Sequence, residues 1–242
     1  MKPILIYTPD QARRNAFAVE KIQRETGAKL VTPDYDGDAD YVINRTNDYK
    51  VGERFEKRGI RVFNPSEFSR LANDKQLCYD YMEQNAVEIM PTRYKSVPFV
   101  KKPRNSHGGQ GVIMCESESE YDENAVCQKP ASDLGKDLRV WVIGGEIITS
   151  ILRENKNDFR SNYSLGGEAT PYILSVEETR LVKKIISLVK GDYYGIDFVF
   201  NGGKIVFNEL EDTVGARMVY AKTGIDILSL YAQYIKNQLK RK

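Results

Sequence analysis

The rhythm of the apolar residues changes at Asn64-Pro65-Ser66, and this change limits the folds open to the chain more than any other feature. Before it, short apolar runs alternate with helical periodicity. Pro3–Tyr7 reads as a strand. Asp10 to Thr26 predicts one helix, because Ala16, Val19 and Ile22 fall on a single face and Gly27 stops the run. Lys29–Val31, Asp40–Asn44 and Ile60–Phe63 read as further strands, with a helix near Tyr49–Lys57. Strands separated by helices predict a small α/β unit on a parallel sheet, here over residues 1–70.

After the change, a helical stretch carries Phe68, Leu71, Leu77 and Tyr81 towards Met90-Pro91, and strands then dominate. They are expected at Pro98–Lys102, Gly111–Cys115, Ala125–Gln128, Asp137–Ile143, Glu146–Leu152, Tyr193–Phe200 and Ile205–Leu210. Helices near Ser175–Lys190 and Asp226–Lys240 interrupt them. Gly144-Gly145 and Asn201-Gly202-Gly203 signal hairpins. Strand-rich lobes with a few covering helices make this part α+β.

Composition excludes several classes. At 41% hydrophobic and 29% charged residues, the 242-residue chain has a soluble globular balance. A net charge of +2 lacks the basic excess of a dedicated nucleic-acid binder. No apolar run is long enough to cross a bilayer, and the N-terminus lacks a signal-peptide pattern. Cys78, Cys115 and Cys127 have neither zinc-site nor disulfide spacing, which suits a reducing compartment. The expectation is a cytoplasmic protein without nucleic-acid or membrane partners.

Two constellations carry chemistry. Lys101-Lys102-Pro103 closes a strand and leads into Ser106-His107-Gly108-Gly109-Gln110-Gly111-Val112. Glycines let backbone N–H groups approach phosphate oxygens, and a lysine supplies a point charge. No Gly-Lys-Ser/Thr follows, so this is not a Walker loop, and a plain hairpin turn is the bland alternative. The second constellation is Asp197 with Glu209 and Glu211. The two glutamates share a strand face. A three-residue loop at Gly202–Lys204 would pair Asn201 with Ile205 and set Asp197 opposite Glu209. Three converging carboxylates repel unless a cation lies between them, and hard oxygen donors suit Mg²⁺. A solvated acidic strand end is the competing reading, which flanking Phe198, Val206 and Phe207 disfavour. Asp137 and Arg139, alternating along one strand, read most simply as an ion pair. Arg160, in a polar loop, could neutralise a transferring phosphoryl group.

Taken in order, these motifs resemble the ATP-grasp superfamily, most closely its RimK-like branch of glutamate ligases. The resemblance runs from Asn73 to the C-terminus. It rests on Asn73-Asp74-Lys75, the Lys102-to-Val112 strand and loop, Asp137-Leu138-Arg139-Val140, Asp158-Phe159-Arg160-Ser161-Asn162, Gly195-Ile196-Asp197, the Glu209 strand and Thr223-Gly224-Ile225-Asp226. It implies ATP-grasp lobes over residues 71–242, a central lobe at about 71–128 and a C-terminal lobe at about 129–242. By position, Lys75 and Lys102 match nucleotide-contacting lysines, and Gly108, Gly109, Gln110 and Gly111 match a lid over the phosphates. Gln128 and Lys129 fall on the adenine edge, where Lys129 replaces the usual glutamate but leaves its backbone to bond the base. Asp137 and Arg139 are placed with the nucleotide contacts. Arg160, Ser161 and Asn162 match nucleotide and acyl-phosphate contacts, Arg160 and Asn162 being the catalytic pair. Asp197 and Glu209 match Mg²⁺ ligands, completed here by Glu211 where the family has asparagine.

The implied activity is an ATP- and Mg²⁺-dependent carboxylate–amine ligase, with Mn²⁺ as an alternative metal, that forms an acyl-phosphate and releases ADP. Its substrate would be a small amino acid or a peptide or protein carboxylate, and homo-oligomerisation stays open. An ATP-grasp enzyme with a hydroxyl or thiol acceptor, and a nucleotide-binding module without turnover, are the other readings.

Overall fold

The structure, a computed structural model, describes residues 2–156, 158 and 167–240. The first part is β1 (Pro3–Ile6), α1 (Pro9–Arg14), α2 (Ala16–Thr26), β2 (Lys29–Val31), β3 (Tyr41–Asn44), α3 (Tyr49–Glu56) and β4 (Arg61–Phe63). Its four strands form the expected all-parallel sheet, ordered β2-β1-β3-β4. The single helix expected over 10–26 is two. Asn15 leaves helical geometry (φ −116°, ψ 27°), ending α1 and starting α2, while its side-chain amide donates to the Gln11 carbonyl. Asparagine bonds its local backbone readily, which is why it interrupts helices.

Two short helices follow, α4 (Ser66–Ala72) and α5 (Lys75–Gln84), where one stretch was expected. Asp74 caps α5 by accepting from the Leu77 N–H at 3.1 Å. Next come β5 (Phe99–Lys102), β6 (Ile113–Cys115) and β7 (Val126–Gln128), a three-stranded antiparallel sheet ordered β6-β5-β7. The remainder is β8 (Asp133–Ile143), β9 (Glu146–Glu154), β10 (Glu168–Pro171), α6 (Val176–Leu188), β11 (Tyr193–Asn201), β12 (Lys204–Glu211), α7 (Arg217–Lys222) and α8 (Ile227–Lys240). Its five strands are antiparallel, ordered β10-β9-β8-β11-β12. Strand β10 and helix α7 gave no clear sequence signal, being four and six residues long.

The five-stranded sheet has two buried faces. One, through Trp141, Ile143, Ile151 and Tyr193, packs with α8 and with Leu5, Ile43 and Phe63 of the parallel sheet. The other, through Leu138, Val140, Ile196 and Phe198, receives α4, α5 and α6 by way of Phe68, Tyr79, Met82 and Ile185. A separate small core, Phe99, Cys115 and Cys127, holds the three-stranded sheet. Two sheets with their own cores therefore face each other across residues 129–132.

Candidate active site

The β11–β12 hairpin sets the carboxylates, by a route the sequence count did not anticipate. The turn is two residues, Gly202-Gly203 (φ 59° and 75°), and pairs Asn201 with Lys204. Both glycines take the left-handed conformation that such a tight turn requires. A bulge then leaves Asn208 unpaired, and Asp197 faces Glu209 after all. The missing loop residue and the inserted strand residue cancel. The bulge also turns the adjacent Asn208 and Glu209 both into one cleft.

That cleft lies between the two antiparallel sheets and encloses about 920 Å³ of empty space, its open mouth included. Met90, Val100, Val112, Leu134 and Val199 give it an apolar stretch; Lys75, Lys102, Asp197 and Glu209 line its polar end. Gly108 and Gly109 border it, whereas Gln110 and Gly111 do not. The glycine loop is thus both the β5–β6 connection and a wall of the cleft.

Lys102 closes β5 with its ammonium buried. It donates to Gln128 Oε1 at 2.7 Å, Asn208 Oδ1 at 2.9 Å and the Tyr79 hydroxyl at 3.1 Å. Gln128 Nε2 in turn donates to the Met90 carbonyl at 3.0 Å, which fixes the amide so that its oxygen meets the lysine. Burial, helped by the charge of Lys75 and opposed by Glu209, lowers the Lys102 pKa to about 8. Lys75, the first residue of α5, bonds the Ser106 carbonyl and lies 3.1 Å from Glu209 Oε2, tying helix, loop and β12 together.

Asp197, Glu209 and Glu211 do converge, each offering an oxygen within 4.8 Å of the others. Asp197 and Glu209 line the cleft, and Glu211 stands beside them without doing so. Guanidinium groups already neutralise part of the cluster. Arg139 clamps Asp197 at 2.7 and 2.6 Å and reaches Glu211 at 3.2 Å. Arg153 joins Asp137 Oδ2 at 2.7 Å to Asp197 Oδ2 at 2.9 Å. Asp137 and Arg139 are therefore not mainly each other's partners, as their alternation suggested. Residues two apart on a strand are separated by about 6.6 Å, while directly opposed side chains start about 5 Å apart. Arg139 stands opposite Asp197, and Arg153 opposite Asp137, in the strand registers. Burial would raise the Asp197 carboxyl, but Arg139 and Arg153 more than offset it and hold the carboxyl below its ordinary range. Burial raises Glu211, against Arg139 and with the negative charges of Glu209 and Asp197.

The Lys129 N–H is committed to the Pro91 carbonyl at 2.9 Å, and Pro130 has none, so that backbone donor is not free for a base. Arg160, Ser161 and Asn162 lie outside the described residues. Sequence reasoning missed Tyr79, Arg153 and Asn208. Arg153 sat one residue beyond the expected strand end, and Asn208 gains its place only through the bulge. Tyr79 fell inside the expected helical stretch with no motif around it.

The RimK-like ATP-grasp domain family matches residues 72–235, about two thirds of the chain. The protein belongs to the RimK-like ATP-grasp family. It is an ATP-grasp ligase, of a family that uses ATP and Mg²⁺. It is 29% identical over 220 residues to an uncharacterised Mycoplasma genitalium protein, MG011, covering 84% of this chain and 77% of that one. A probable α-L-glutamate ligase of Methanococcoides burtonii is 24% identical, with 78% and 72% covered. Among solved structures, D-alanine–D-alanine ligase of Bacillus anthracis complexed with ATP superimposes with a TM-score of 0.74 at 16% identity, covering 99% and 98%. ATP-grasp ligase PsnB complexed with a minimal precursor gives 0.72 at 15%, covering 99% of each chain. At such identities these structures establish the ATP-grasp fold alone. Among the described residues, no helix is long and apolar enough to cross a membrane.

Proposed function

We propose that this ATP-grasp ligase joins a carboxylate to an amine through an acyl-phosphate and releases ADP. The observation that carries the reading is one cleft holding Lys75 and Lys102 at the same end as Asp197 and Glu209, with Glu211 clustered beside them. In this reading the lobes are residues 71–128 and 129–242, and the base lies against Met90, Val100 and Leu134. Its polar edge meets the Lys129 carbonyl and the Ala131 N–H, since the Lys129 N–H is taken. Lys102 and Lys75 hold phosphate oxygens, the loop at Gly108 and Gly109 covers them, and Arg160, Ser161 and Asn162 take the nucleotide and acyl-phosphate roles that the family resemblance implies.

The donor set fits a hard cation: Asp197 and Glu209 would hold Mg²⁺, with Glu211 alongside. Bound with the nucleotide, Mg²⁺ supplies charge neutralisation on the phosphates. The chain's own residues position and compensate. Arg139 and Arg153 keep Asp197 ionised and oriented, and Gln128 keeps Lys102 aimed at the cleft. Positioning and electrostatics suffice for phosphoryl transfer to a carboxylate oxygen, and no enzyme nucleophile is needed. The amine then attacks the acyl carbon and phosphate leaves. An amino acid or a peptide carboxylate is the substrate class, supported by glutamate-ligase relatives and by a neighbour complexed with a precursor peptide.

Nucleotide products decide this reading. Incubation with MgATP, a panel of amino acids and peptides, and chromatographic separation should give ADP and phosphate in proportion to a carboxylate-dependent product. AMP and pyrophosphate in that proportion would mean adenylation and overturn it.

A further inference from the structure

Asp212, the residue after β12, is buried but does not line the cleft. Its carboxylate is met by amides: Asn64 Nδ2 donates to Oδ1 at 2.8 Å and Asn73 Nδ2 to Oδ2 at 2.9 Å. No cation forms an ion pair with it among the described residues. Burying a carboxylate without such a partner is costly, and a neutral side chain of similar size would cost less. What the carboxylate alone offers is an acceptor on both sides, so that two amide groups donate to it at once.

Those two amides come from different parts of the molecule. Asn64 follows β4, and its Oδ1 accepts from the Asp192 and Tyr193 N–H groups at 2.6 and 2.8 Å, where β11 begins. Asn73 ends α4, and the next residue, Asp74, caps α5, whose first residue is Lys75. The Asn73–Asp212 bond therefore ties the residue two before Lys75 to the residue three after Glu209. Across that tether, Lys75 Nζ lies 3.1 Å from Glu209 Oε2 and also bonds the Ser106 carbonyl at the foot of the glycine loop. A lysine ammonium rides on a flexible stem, so the place where its helix starts sets what it can reach.

We propose that Asp212 is a positioning residue for nucleotide binding: through Asn73 it docks the start of α5 on the end of β12, so that Lys75 stands within reach of both Glu209 and a phosphate oxygen. Its effect runs through Lys75. The proposal rests on the cleft being the nucleotide site, and the experiment separates the two.

Two substitutions cut the tether. Asp212→Asn keeps the volume but turns an NH₂ towards one of the two amide donors, so one bond is lost. Asn73→Ala, at a half-buried position, removes the α5 bond and leaves the Asn64 bond in place. Isothermal titration with a non-hydrolysable ATP analogue and Mg²⁺ should show about tenfold weaker binding in each, as expected for one lost bond to a charged group. Lys75→Met should lose at least as much. Adding either tether substitution to Lys75→Met should cost nothing further, because the tether acts through that lysine. Exchanging the pair, Asn73→Asp with Asp212→Asn, rebuilds the bond with donor and acceptor reversed and should recover wild-type affinity. If Asp212→Asn does not fold, Asn73→Ala and the exchange make the same comparison. Wild-type affinity in Asn73→Ala, a folded exchange variant that stays weak, or losses that add in full to that of Lys75→Met would overturn the proposal while leaving the nucleotide reading intact. Absence of analogue binding by the wild type would instead remove the nucleotide reading, and this proposal with it.

Discussion

Lys102 has its three donors on Gln128, Asn208 and Tyr79 and a pKa brought down by burial to about 8. Phosphate binds the charged form, so affinity for an ATP analogue should weaken as pH rises through about 8, and Lys102→Arg should flatten that profile. For folding the sign is opposite. The unfolded lysine, at 10.5, binds a proton that the folded one has lost, so this residue's contribution to stability rises between about pH 8 and 10.5. Lys102→Ala should weaken analogue binding by well over tenfold, since each charge-assisted bond lost exceeds about 1.5 kcal/mol. At the carboxylates, Glu209→Ala should leave almost no turnover. Glu211→Asn should stay active with an altered Mg²⁺ requirement, because it removes one negative charge from the cluster. Titrating Mg²⁺ against turnover checks both, and full activity in Glu209→Ala would reduce the cluster to an acidic strand end. These residues were legible because lysine, glycine and carboxylate types carry their chemistry in sequence. Their compensating partners were not, because Arg153 and Asn208 act only through register.

Strand registers set this site as much as residue types do. Asp197 meets Glu209 because a two-residue turn and the Asn208 bulge compensate each other, and no residue pattern marks a bulge in advance. Four of the five strands of the second antiparallel sheet were legible as apolar runs, continuous where both faces are buried; β10, four residues long and beginning with Glu168, was not. Across β8, β9, β11 and β12, ion pairs link Asp137–Arg153–Asp197–Arg139–Glu211 in a chain whose Asp137, Arg153 and Asp197 are buried. Removing one cation from such a network leaves uncompensated carboxylates. Arg153→Ala should destabilise the fold by about 3 kcal/mol, read as a lower urea midpoint with an unchanged slope. A midpoint equal to the wild type would show that water reaches Asp137 and compensates it.

In the whole molecule, the parallel sheet is joined to the second antiparallel sheet through one continuous core and through Asp192. That carboxylate meets Arg61 of β4 at 2.5 Å and the Tyr234 hydroxyl of α8 at 2.6 Å, and burial raises its pKa to about 6 despite Arg61. A carboxyl with a raised folded pKa contributes stability below its unfolded value of 3.8 and loses it as pH climbs through about 6. Asp192→Asn should flatten the stability profile over that window, measured by denaturant titration at a series of pH values; an unchanged slope would place the effect elsewhere. Sequence rhythm separated the α/β unit from the strand-rich remainder, but the shared core could not be read, because long-range packing leaves no local period. The central claim is transfer of a phosphoryl group to a carboxylate in the cleft between the two antiparallel sheets. It is tested most directly by following carboxylate oxygen: with ¹⁸O-labelled L-glutamate or a labelled glutamyl peptide, MgATP and an amine, one ¹⁸O should appear in inorganic phosphate for each ADP formed. Phosphate free of label, with the ¹⁸O recovered in AMP, would contradict it.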